Sequence, residues 1–68
     1  MDDLSRFPVY CRKNIRKLTR MLSADPDIVF GMMKMTAILM DLDLDDDMVV
    51  SAILLDCGIE DAFEGECA

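Results

Sequence analysis

The hydrophobic positions of this chain change their spacing as they run along it. From Cys11 they recur at Ile15, Leu18 and Leu22, in steps of four, three and four, which is one apolar stripe on a helix of about four turns. From Met32 to Met40 the pattern loses its polar face, and only Lys34 and Thr36 interrupt it. Asp41 to Asp47 then alternates aspartate with leucine and closes on three aspartates in a row. Met48 to Leu55 is apolar again apart from Ser51. A helix that is hydrophobic nearly all round must be buried, either in a core or against a partner.

Punctuation sets the boundaries. Ser5 is a candidate N-cap, and Pro8 suits a first helical turn, where its missing N–H costs nothing. This predicts a first helix over residues 7–22. Pro26 disfavours helical geometry at Asp25, so that helix must stop before it. Asp25 can cap a second helix over 26–40, with Pro26 at its first position and Asp27 near its positive end. Asp45 is expected to cap a third helix over 46–57, with Asp46 and Asp47 in its first turn. Gly58 is placed to end it in the left-handed conformation. Ile59 to Phe63 can add one short turn, residues 1–5 are expected to fray, and 64–68 read as a mobile acidic tail. The expected fold is all-α: a small three-helix bundle, with a basic N-terminal helix and an acidic helical hairpin over 26–57.

Composition adds a problem of burial. A chain of 68 residues hides only about 60% of its unfolded surface, yet 53% of its residues are hydrophobic. The second helix points Ile28, Val29, Phe30, Met32, Met33, Met35, Ile38, Leu39 and Met40 in every direction. Leaving three or four of these wet forfeits roughly 1.5–3 kcal/mol each, against a whole-domain stability of about 5 kcal/mol. A homodimer at micromolar concentration is therefore expected, pairing this helix with its twin. Gly31, which costs about 1 kcal/mol inside a helix, would allow close approach. Met32, Met33, Met35, Met40 and Met48 cluster round the hairpin as candidate partner contacts, since flexible thioethers suit adaptable surfaces.

Charge is divided between the two parts. Residues 1–22 carry six of the seven basic side chains and two acids, net +4; the remainder carries −11, for a total of −7. Arg12, Lys13, Arg16, Lys17 and Arg20 form a candidate basic face on the first helix. Asp41, Asp43, Asp45, Asp46 and Asp47 form a candidate acidic rim at the hairpin turn. The acidic body argues against general nucleic-acid affinity, because phosphate contacts need clustered Lys and Arg. The basic face is read first as a solvated surface that offsets the acidic body.

Chemistry is sparse. Cys11, Cys57 and Cys67 have no CxxC spacing, and there is no histidine to complete a zinc site. Counted as a calcium loop from Asp41, the sixth and twelfth positions would need glycine and glutamate but hold Asp46 and Ala52. No nucleophile–base pair and no glycine-rich phosphate loop is present. No catalytic residue, metal or cofactor is expected. No stretch is long and apolar enough for a bilayer, and Asp2 and Asp3 replace the basic start of a secretory leader. A reduced, cytoplasmic protein is the expectation.

The string from Ile38 to Asp61 resembles the segment of the (p)ppGpp synthetase/hydrolase family that carries the HD-phosphohydrolase motif. Ala52-Ile53-Leu54-Leu55-Asp56 stands at that family's A-L-L-H-D, and Glu60-Asp61 at its later acidic pair. The resemblance covers about a third of the chain and implies a helical hairpin. Leu55 stands where the motif histidine would be, and the chain has no other histidine. What the resemblance implies is a catalytically dead relative in which Asp56, Glu60 and Asp61 hold no metal.

The leading functional expectation is a small helical protein-interaction module, an adaptor or regulator, acting through its apolar hairpin with an acidic rim that steers partner choice. Its rival is a nucleic-acid-mimicking inhibitor whose aspartates compete for a basic site on another protein.

Overall fold

The three described helices begin and end where backbone chemistry directs them. In the computed structural model, which describes residues 4–58, α1 spans Val9–Leu22, α2 Pro26–Met40 and α3 Asp47–Cys57. No strand occurs among the described residues, and the architecture is a small all-α three-helix bundle. The extents of α2 and the end of α3 at Gly58 agree with the sequence reading. The starts of α1 and α3 shift inward by two residues and one.

The first shift has a clear cause. Pro8 is the N-cap residue of α1, with an extended backbone at ψ 141° and no side chain to accept a bond. Ser5 caps nothing. It lies instead in a turn closed by the Phe7 N–H donating to the Leu4 carbonyl at 3.0 Å. That turn folds Leu4 and Phe7 into the core, so Leu4 is held where fraying was expected, while residues 1–3 lie outside the described residues. Arg12 fastens it further, donating from Nε to the Phe7 carbonyl at 2.8 Å and from Nη2 to the Ser5 carbonyl at 3.0 Å.

Asp25 takes the N-cap position of α2, and Pro26 opens the helix as expected. The Asp25 carboxylate accepts no capping bond, however; its carbonyl receives the Val29 N–H at 3.0 Å. At the other end Asp41 adopts the left-handed conformation, φ 56°. Its N–H reaches the Ile38 carbonyl at 3.4 Å, while the Leu42 N–H reaches that of Ala37 at 2.9 Å. This is a Schellman stop. For α3 the cap is Asp46 rather than Asp45: the Asp46 Oδ1 accepts the Met48 N–H at 2.9 Å. A β-turn closed from the Asp46 N–H to the Asp43 carbonyl delivers it there.

The core lies where the three helices meet. Cys11, Ile15 and Leu18 of α1, Val29, Met33 and Ala37 of α2, and Val49, Val50, Ile53 and Leu54 of α3 fill it, with Leu4 and Phe7 below. Phe7 and Phe30 stack at 5.0 Å, tilted by 52°. The alternation of the 41–45 turn acquires a meaning here. Leu42 and Leu44 pack against the core while Asp41, Asp43 and Asp45 face water. Burial sorts the two residue types along the turn: the apolar side chains turn inward and the charged ones stay solvated. The short turn expected over 59–63 and the tail over 64–68 lie outside the described residues.

Candidate protein-docking surface

Only one side of α2 is needed for the core, because a three-helix bundle gives each helix two neighbours. Val29, Met33 and Ala37, spaced by four, make that side. The opposite side carries Ile28, Met35, Ile38 and Leu39, which are 56, 67, 77 and 82% exposed. Gly31 lies on the same side, and half-buried Met32 borders it. The result is an apolar stripe about 16 Å long at 1.5 Å per residue. A Cβ placed on Gly31 would meet nothing within 4 Å. Among the described residues, therefore, no part of the chain occupies the notch that the glycine leaves.

The stripe has a charged flank. Asp27 and Lys34, two helical turns apart, fall on one edge of it. Asp27 holds Arg6 at 3.2 Å in an exposed ion pair, and the Lys34 ammonium lies 5.4 Å above the Phe30 ring. Beyond Lys34 a shallow open depression of about 340 Å³ continues between α2 and the acidic turn, lined by Lys34, Ala37, Ile38, Asp41, Leu42 and Leu44.

The residues singled out from sequence separate in space. Met35, Met40 and Met48 are exposed and Met32 is half-buried, so these four are available to a partner. Met33 is not, being fully buried in the core. Of the acidic rim, Asp41, Asp43, Asp45 and Asp47 are exposed, while Asp46 is half-buried and engaged in capping α3. On α1, Lys13, Arg16, Lys17 and Arg20 stay exposed beside Tyr10. Arg12 leaves that face, because its guanidinium serves the Ser5 and Phe7 carbonyls.

Among the described residues, groups capable of chemistry are few and scattered. No cluster of three His, Cys, Asp or Glu side chains that could hold a metal occurs among the described residues. The Cys11 thiol is fully buried and donates to the Pro8 carbonyl at 3.3 Å. Burial pushes its pKa up, with a smaller push from Asp45, against the opposing influence of the Cys11 backbone N–H and of Arg12. A thiol held protonated in this way is a packing group and a poor nucleophile. Leu55 and Asp56, at the positions of the hydrolase-like motif, are both exposed at the end of α3; Glu60 and Asp61 lie outside the described residues. No described helix is long and apolar enough to cross a membrane. No protein-family model, curated protein or solved structure matches the chain.

Sequence reasoning missed Asn14, which is buried and donates from Nδ2 to the Leu44 carbonyl at 3.3 Å. A signal was present: Asn14 falls between Cys11 and Leu18 at the spacing of the apolar stripe, where a polar residue needs a buried partner.

Proposed function

We propose that this chain is a non-catalytic helical interaction module that docks another helix on the exposed stripe of α2. The observation that carries this reading is the row Ile28, Met35, Ile38 and Leu39 with Gly31 open between them. Contiguous exposed apolar surface on a small domain marks an interaction site, and a notch without a Cβ suits a backbone that comes close. The exposed aspartates of the 41–47 turn then act as a rim that steers encounter rather than as the main source of affinity. Free thiols at Cys11 and Cys57 suit a reducing compartment, and the cytosol is the proposed setting.

A photo-crosslinking amino acid placed at Met35, with controls at Lys17 and Asp43, tests this in cells. Discrete adducts from position 35 that vanish with Leu39→Glu are expected, with few from the controls. Adducts from 43 and none from 35 would move the function to the acidic turn, as in a nucleic-acid mimic. Complexes of that kind also dissolve steeply as salt rises.

A further inference from the structure

We infer that the helix docked on this stripe is α2 of a second copy, running antiparallel, with Gly31 of the two chains at the crossing. The inference rests on the docking reading above and adds the partner and its direction.

Three features of one face agree on it. The stripe is apolar from Ile28 to Leu39, and no described residue covers it. Gly31 lies near its middle, with open space where a Cβ would be. Asp27 and Lys34 carry opposite charges on the same flank, four residues before Gly31 and three after it. In an antiparallel pair related by a two-fold axis, each flank meets the same flank of the twin, and residues before the crossing meet residues after it. With the glycines at the crossing, Ile28 then faces the twin's Met35, and Asp27 faces the twin's Lys34. Both contacts occur twice. A parallel pair would set that flank against the opposite one, where Met32 and Thr36 lie, and the charges would not meet. Charge complementarity therefore selects both a second copy and its direction. Ile38 and Leu39 extend past the crossing toward the twin's Ser23–Ala24 turn.

Sedimentation of the full chain across the micromolar range tests the pair, with circular dichroism to confirm that each surface variant is folded. The wild type should dimerise. Lys34→Asp and Asp27→Lys should each weaken the dimer about tenfold at low salt, since each alters two contacts at once. The combined Asp27→Lys, Lys34→Asp chain should regain most of the loss. Within one chain the two positions are about 10 Å apart along the helix, so that rescue must act between chains. Gly31→Leu adds apolar area yet should weaken the pair, because it blocks the approach. A wild type that stays monomeric would overturn the inference, whether residues 59–68 or another protein covers the stripe; so would a double variant no better than the singles, or a Gly31→Leu chain that associates more tightly. A monomer whose position 35 still crosslinks to a different protein would leave the docking reading standing and remove only the self-pair.

Discussion

The Asn14 side-chain amide donates to the Leu44 carbonyl at 3.3 Å across 30 residues of sequence, tying the middle of α1 to the turn between α2 and α3. Asn14 is a buried polar residue in an otherwise apolar core. Its bond holds Leu44 in the core, and Leu44 in turn sets which way the neighbouring aspartates face. Truncating it strands a half-buried carbonyl. Asn14→Ala should therefore destabilise the protein by about 1–3 kcal/mol, a large share of what a domain of this size has. Urea unfolding checks it, and an unchanged midpoint would mean that water replaces the bond at no cost.

Two helix ends store strain that glycine would relieve. Ser23 and Asp41 follow α1 and α2 in the left-handed conformation, at φ 53° and 56°, where a Cβ is unfavourable. Asp41→Gly and Ser23→Gly should each stabilise the fold by up to about 1 kcal/mol, seen as a melting point higher by several degrees. Gly58, at φ 73°, should respond in the opposite sense to Gly58→Ala. If all three changes shift stability in the same direction, the helix ends do not work this way.

These ends also show what could be read from the sequence. Pro26 has its φ fixed by its ring and Gly58 takes a positive φ at no steric cost, so α2 began and α3 ended where expected. Capping was harder to place, because Asp45, Asp46 and Asp47 are chemically equivalent in sequence and only the turn geometry chooses Asp46. Leu4 was invisible as core because the short lead-in before the helix has no period to read, whereas Phe7, four residues before Cys11, extends the spacing of the apolar stripe and went unread. Arg12 looked like its basic neighbours, and its bonds to the Ser5 and Phe7 carbonyls exist only once the chain turns at Pro8. The surplus of apolar residues on α2 was plain in the sequence. Which of them face outward depends on where α1 and α3 pack.

Thiol chemistry should divide the cysteines. Cys57 is exposed and should react promptly with a disulfide reagent, whereas Cys11 should react only on unfolding. Burial raises the Cys11 pKa above the ordinary value of 9.0, so the unfolded chain loses that proton first as pH rises. The stability that the buried thiol supplies is thus complete below pH 9.0 and is lost as pH climbs toward the folded-state value. In Cys11→Val this part of the alkaline decline should disappear, as unfolding curves measured on either side of that pH would show. An identical decline in the variant would assign it to other groups.

Met33 and Met35 are two residues apart on one helix and have opposite fates. The Met33 side chain is fully buried between helices, and Met35 is 67% exposed beside Gly31. Met33→Ala removes contacts on every side and should cost about 2–5 kcal/mol, enough to unfold much of the population of a domain worth about 5 kcal/mol. Met35→Ala removes few contacts within the chain and should leave the unfolding midpoint of dilute protein within about 0.5 kcal/mol of wild type. Charge sharpens the contrast. Met33→Asp buries a carboxylate with no partner and should abolish folding, while Met35→Asp leaves its carboxylate in water and the three helices intact. What Met35→Asp should remove is association, because a charge next to the notch must be desolvated in any helix pair formed there. Circular dichroism at low concentration, read beside sedimentation at high concentration, separates the two effects. A folded Met35→Asp chain that associates as well as wild type would take the docking surface away from this face of α2.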